Sequence, residues 1–261
     1  MEKNKNYSLV YEDADSQLVL GDSLKILSLI PDNKIDVIIA DLPYFLSNGG
    51  FSNSGGKVVS VNKGNWDKTD DPEKFYSTFL EEAYRILKKD GTIWVFGTMH
   101  NIYTLGYLLN KGNWKILNNI TWQKSNPAPN LSRRMFTHST ETAIWAKKKH
   151  GYQTFNYDLM RSINNNKQMK DVWITSNTSR SEKMFGKHPT QKPIALIQRI
   201  IVASSQQGDL ILDPFVGSGT TMVASKLLKR QSIGIDIESQ YIEIAKKRIT
   251  NLDKVYVGKI I

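Results

Sequence analysis

Three short apolar runs in this chain each stop at an aspartate. Ile35-Asp36-Val37-Ile38-Ile39-Ala40 precedes Asp41, Leu210-Ile211-Leu212 precedes Asp213, and Ser232–Ile235 precedes Asp236. Runs this short and this apolar read as strands buried on both faces. Helical patterns lie between them. One starts at Asp71-Pro72-Glu73 and carries Phe75, Phe79, Ala83, Ile86 and Leu87 at helical spacing to Lys89. Asp90-Gly91 breaks it, and Thr92–Phe96 is the next strand. Further helices are expected over Asn101–Asn110, from Pro193 to about Ser205, over Thr220–Lys229 and over Gln240–Ile249. Strands alternating with helices require an α/β fold, a mostly parallel sheet with helices on both faces. Ligands of such sheets bind at the carboxyl ends of the strands, where the three aspartates stand.

The stretch Asp213-Pro214-Phe215-Val216-Gly217-Ser218-Gly219-Thr220-Thr221 joins a strand to a helix through a glycine-containing turn. Glycine lets backbone approach a ligand, and helix N-terminal amides face it. A phosphate-binding P-loop is excluded, because no lysine precedes Thr220 and Thr221. A nicotinamide fingerprint wants a third glycine where Met222 stands. S-adenosylmethionine is a third reading: its amino acid part over the turn, its ribose hydroxyls on Asp236, with Glu238 as a second candidate. A turn that holds no ligand is the fourth.

Phe45–Gly64, rich in Gly, Ser and Asn, reads as a mobile loop. From about Asn118 to Gln191 periodicity is weak, and the segment reads as irregular structure inserted into the alternating pattern. The charge is concentrated there. The chain carries a net +10, and Lys115–Lys192 holds fourteen basic against four acidic residues, which accounts for the whole excess. Aromatic residues, including Trp122, Phe136, Trp145 and Trp173, are interleaved with them. That mixture suits nucleic acid, phosphates meeting Lys and Arg and bases meeting rings. Charge alone is equally consistent with a solvated basic face. The chain has no cysteine, hence no disulfide, thiolate metal site or cysteine nucleophile. The four histidines show no metal-ligand spacing, so no metal site is expected. Apolar runs are too short to span a bilayer. The first six residues lead into polar sequence without a signal-peptide core, so a cytoplasmic protein with no membrane partner is expected.

Asp41-Leu42-Pro43-Tyr44, taken with the Asp213–Thr221 turn, resembles the amino-group DNA methyltransferases, whose catalytic tetrapeptide is Asp-Pro-Pro-Tyr and whose cofactor turn is Asp-Pro-Phe-x-Gly-x-Gly-Thr-Thr. Gly21-Asp22, the segment Lys187-His188-Pro189-Thr190-Gln191-Lys192-Pro193, and Gly234-Ile235-Asp236 with Tyr241, Ala245 and Arg248 agree in order. A catalytic motif ahead of the cofactor turn marks the β class. Within it, Phe45–Gly50, Asn119–Lys124 and Asn126–Leu131 look very like the second adenine methyltransferases of DpnII-type restriction systems. The similarity runs from about Leu18 to Arg248.

The resemblance implies a Rossmann-like S-adenosylmethionine-dependent methyltransferase fold, one domain over 1–261 with an inserted DNA-recognition region at about 125–187. Asp41, Leu42, Pro43 and Tyr44 would be catalytic. Asp22, Asp41, Lys192, Asp213, Phe215, Gly217, Ser218, Gly219, Thr220, Thr221 and Asp236 would bind the cofactor. The amino nitrogen of adenine is a poor nucleophile, because its lone pair is delocalised into the ring. Two acceptors, the Asp41 carboxylate and the Leu42 carbonyl, would draw it toward tetrahedral geometry, with Tyr44 stacking on a base flipped out of the helix. Leucine at the family's first proline keeps that carbonyl and loses only stiffness. Without cysteine, methylation of cytosine C5 is excluded. Cytosine N4, RNA, or a binder that no longer catalyses are the alternatives; family members acting on N4 usually begin the tetrapeptide with Ser. Trp66, which closes the Gly-rich loop, and Lys124, Asn126, Ser132, Arg133, Arg134 and His138 are the expected DNA contacts, most of them to phosphate. GATC is the implied target, with single-stranded DNA tolerated alongside duplex. A homodimer and a cognate restriction endonuclease are implied partners.

Overall fold

In the computed structural model, residues 7–45, 51–54, 57–60 and 70–255 are described. Along the chain run β1 (Tyr7–Glu12), β2 (Ser16–Gly21), α1 (Ser23–Leu27), β3 (Ile35–Asp41), β4 (Phe51–Ser54), β5 (Lys57–Ser60), α2 (Pro72–Ile86), β6 (Leu87–Gly97), α3 (Ile102–Lys111) and β7 (Trp114–Lys124). Then follow β8 (Thr140–Lys148), α4 (Tyr157–Ser162), β9 (Val172–Thr175), α5 (Ile194–Ser204), β10 (Leu210–Asp213), α6 (Thr220–Leu227), β11 (Gln231–Asp236), α7 (Ser239–Thr250) and α8 (Leu252–Val255).

Nine strands form one sheet in the order β1-β2-β11-β10-β3-β6-β8-β7-β9. The five from β2 to β6 are parallel; β1 and β8 run antiparallel to their neighbours. β3 is the middle strand, and its side chains alternate between two cores. Val37 and Ile39 join Trp94, Phe96, Ile211 and the buried faces of α5, α6 and α7. Ile38 and Ala40 join Val95 and the buried faces of α1, α2 and α3. Burial on both faces explains why the strand reads as an unbroken apolar run. The α/β architecture expected from the alternation is the one observed.

Helix starts follow local chemistry. Asp71 caps α2, its carboxylate accepting from the Lys74 N–H at 2.9 Å, with Pro72 in the first turn. Two expectations are corrected. The second helix ends at Ile86, not Lys89, and β6 runs through Asp90-Gly91. A Cβ at Gly91 would meet the Asp36 carbonyl at 2.7 Å, so this glycine permits a close strand approach and is no breaker. The centre is also more regular than expected. β7, β8 and β9 extend the sheet, and both β8 and β9 lie within the 125–187 range. A bulge between Ile116 and Asn118 shifts the β7 register and blurs its alternation. The parts of that range outside the sheet are 125–139, 149–171 and 176–187. Within Phe45–Gly64, read as a loop, Phe45 is buried and β4 and β5 pair antiparallel; the others lie outside the described residues. Among the described residues, no helix is long and apolar enough to cross a membrane.

Candidate active site

Parallel pairing brings Asp41, Asp213 and Asp236 to one end of the sheet, with Asp22 just past β2. After β10 the chain turns through the glycine segment. Asp213 anchors that turn, accepting from the Thr221 hydroxyl at 2.5 Å and the Phe215 N–H at 3.0 Å. Asp236 closes its other side, taking the Gly217 N–H at 2.8 Å and the Glu238 N–H at 2.8 Å. Gly217 (φ +49°) and Gly219 (φ +81°) are left-handed. A Cβ on Gly219 would stand 2.8 Å from the Ala245 Cβ, so glycine is required here for packing against α7 as well as for its dihedrals. Arg248, fully buried on α7, supports the turn from behind: its Nη1 donates to the Ser218 carbonyl at 2.6 Å and to the Thr220 hydroxyl at 3.0 Å.

Burial shapes the electrostatics. It pushes the Asp213 carboxyl up to about 7 and the Asp236 carboxyl up to about 6, against the hydrogen bonds each accepts. Burial likewise brings the Arg248 guanidinium down to about 10.

Facing the turn, Asp41 ends β3. Its Oδ1 accepts from the Tyr44 hydroxyl at 3.0 Å, and its Oδ2 meets Lys192 Nζ at 2.5 Å. Leu42 is buried, and the Pro43 carbonyl accepts from the Tyr76 hydroxyl at 2.7 Å, which ties the tetrapeptide to α2. Lys192 is buried and contacts a second carboxylate, Glu141 of β8, at 3.4 Å; Glu141 in turn pairs with Lys124 at 2.7 Å. Burial opposes the Lys192 charge, yet Asp41 and Glu141 hold its pKa well above the usual lysine value. Burial alone would raise Glu141, but Lys192 and Lys124 hold it below the usual range. Burial and the Asp41 charge push the Tyr44 hydroxyl well up.

Two adjoining cavities separate these groups. Asp22, Asp41, Leu42, Pro43, Tyr44, Phe215 and Asp236 line the larger one. Lys192, Asp213, Gly217, Ser218, Thr220 and Thr221 line the smaller, which shares Asp41 and Phe215 with the first. Of the residues expected at the catalytic and cofactor sites, Gly219 alone lines neither; it packs on α7. Lys192, expected on the cofactor, has its ammonium on Asp41. Asp22 caps α1, accepting from the Lys25 N–H at 3.3 Å. Among the described residues, four carboxylates line the cleft and its buried ammonium, Lys192, is already paired, which suits a ligand with cationic centres and hydroxyls.

The expected DNA contacts divide. Ser132, Arg133, Arg134 and His138 are exposed on the 125–139 segment, where Asn130 braces the backbone by donating to the Met135 carbonyl at 2.9 Å. Lys124 is held by Glu141, and Asn126 is engaged by the Asn177 N–H at 2.8 Å, fastening 125–139 to the β9 side. Trp66 lies outside the described residues. Sequence reasoning missed Glu141, Tyr76 and the packing of His188 on Tyr241, ring centroids 4.2 Å apart. An isolated glutamate in a basic segment carries no sequence signal; only the sheet brings it to Lys192.

A DNA methylase family profile, N6_N4_Mtase, matches residues 35–247. The chain belongs to this family. It is 56% identical over 237 residues to the type II methyltransferase M2.DpnII of Streptococcus pneumoniae, covering 89% of this chain and 88% of that protein. Identity to the type II methyltransferase M2.LlaDCHI of Lactococcus lactis subsp. cremoris is 56% over 244 residues, 92% of this chain and 91% of that one. The crystal structure of an M1.HpyAVI–SAM complex superposes with a TM-score of 0.67 at 28% identity, over 90% of this chain and 98% of that one. The family match thus spans the site from Asp41 to Asp236, while Asp22 lies ahead of it.

Proposed function

We propose that this DNA methylase transfers the methyl group of S-adenosylmethionine to adenine N6 in a short DNA site. The observation that carries the reading is Asp41, with Leu42 directly after it, set on a cavity wall opposite the glycine turn. Asp22 and Asp236 would hold the adenosine part of the cofactor, and the Gly217–Thr221 turn with Asp213 its amino acid part. S-adenosylmethionine, when bound, supplies an electrophilic methyl group on a sulfonium. The chain does the rest by positioning. Asp41 and the Leu42 carbonyl accept the two amino hydrogens and localise the nitrogen lone pair. Tyr44, tethered to Asp41, lines the pocket for a flipped base. Tyr76 and the Leu42 packing keep the tetrapeptide from shifting.

The 125–139 segment with Arg133 and Arg134 is proposed as part of the DNA-recognition region. The Streptococcus pneumoniae and Lactococcus lactis relatives are named type II methyltransferases, and this chain's resemblance to DpnII-type second methyltransferases supports GATC as the target, in duplex and single-stranded DNA. The same resemblance supports a homodimer, a cognate endonuclease and a cytoplasmic location. The test is methylation of two duplexes that differ only in GATC against a permuted tetranucleotide. Transfer confined to the GATC duplex is expected; equal transfer to both refutes the target.

A further inference from the structure

Both oxygens of Asp41 are engaged as the structure stands. Tyr44 occupies Oδ1 and the Lys192 ammonium occupies Oδ2 at 2.5 Å. A carboxylate neutralised at that distance pulls weakly on a further amino hydrogen. The lysine is buried and cannot be left without a counter-charge, since an unpaired buried cation is strongly unfavourable. A second anion is in place. Glu141 Oε2 stands 3.4 Å from Lys192 Nζ and is buried without a hydrogen bond, which makes it an acceptor waiting for a donor. Its partner oxygen, Oε1, is held by Lys124 at 2.7 Å. Glu141 lies on β8 in register with Trp122 of β7, so sheet pairing fixes the carboxylate in position.

From these contacts we infer that Glu141 is a positioning residue for methyl transfer: it takes Lys192 off Asp41 when the target base enters, and so frees Asp41 Oδ2 to accept an amino hydrogen. The cluster holds two carboxylates and two ammoniums, so the transfer moves a paired cation between two anions with no change in buried charge. This inference rests on Asp41 as the acceptor of the amino group.

The test is Glu141→Gln, which keeps the side-chain shape and removes the charge. Lys192 then stays on Asp41. Single-turnover methylation of a GATC duplex is expected to fall about tenfold or more, with the dissociation constants for DNA and S-adenosylmethionine close to wild type; the melting temperature should fall, because Lys124 loses its partner. Because Glu141 acts through Lys192, adding Glu141→Gln to Lys192→Gln should cost little more than Lys192→Gln alone. A full rate in the folded Glu141→Gln protein overturns the inference, and so do losses that multiply in the double variant. A second measurement does not depend on how the variants fold. In the wild-type complex with S-adenosylhomocysteine and the GATC duplex, Lys192 should hydrogen-bond Glu141, and Asp41 Oδ2 should face the base. Lys192 still on Asp41 with the base in place overturns it. Wild-type protein that makes no methyladenine removes the acceptor role of Asp41 and this inference with it; active wild type beside an unaffected Glu141→Gln removes this inference alone.

Discussion

Replacing Gly219 by alanine tests whether the cofactor turn is shaped by its packing on α7. At φ +81° an L-residue is strained by about 1 kcal/mol. The added Cβ would also meet the Ala245 Cβ at 2.8 Å and its Cα at 3.0 Å. Neither atom can rotate away, so α7 must move, and overpacking of this kind costs about 1–3 kcal/mol. The two terms together predict a loss of about 2–4 kcal/mol, or roughly 5–15 °C in melting temperature for a chain of this size. The displacement passes to Arg248, which holds Ser218 and Thr220 from the same helix, so affinity for S-adenosylmethionine should weaken as well. Differential scanning fluorimetry and calorimetric titration of the cofactor read both effects. Ser218→Ala is the control for the melting shift alone, since it removes one 3.1 Å contact from Arg248 Nη1 and leaves the 2.6 Å bond to the carbonyl. A Gly219→Ala protein that melts within about 2 °C of wild type and binds the cofactor equally well refutes the packing argument.

Asp41→Ala should bind S-adenosylmethionine and fail to turn over; transfer near the wild-type rate would show that the amino group is activated elsewhere. The protein without cofactor should melt higher at pH 5 than at pH 8. Burial raises Asp213 to about 7 and Asp236 to about 6 in the folded state, so between the ordinary carboxylate pKa and these values the fold binds more protons than the unfolded chain, and stability falls as pH rises. A melting temperature flat or rising over that window contradicts the burial argument. Arg133→Ala should weaken binding to all DNA sequences alike and lower the slope of log affinity against log salt by about 1; an unchanged slope removes Arg133 from the phosphate contacts.

Much of this site is written in short local patterns. Asp41, Asp213 and Asp236 each end an apolar run, and a strand end in a parallel sheet is also a place in space. The helices α5 and α7 are recognisable because Pro193 and the Ile242, Ala245 and Ile249 spacing are local signals. β8 was hidden in a segment of mixed composition, and its neighbour β7 carries a bulge that breaks alternation. The partnership of Lys192 with Glu141 joins residues from α5's approach and from β8, a pairing that only the sheet order creates. Gly219 carries a packing requirement that no local pattern announces, because the contact that forbids a Cβ comes from α7, 26 residues further along.

The central claim is transfer of a methyl group to adenine N6 by Asp41. DNA should be incubated with labelled S-adenosylmethionine and either wild-type protein or Asp41→Ala, digested to nucleosides and resolved by mass. Labelled N6-methyladenine from the wild type and none from the variant is the predicted result. Label in N4-methylcytosine would keep the chemistry and move the base, and an equal yield from both proteins would contradict the account of the site.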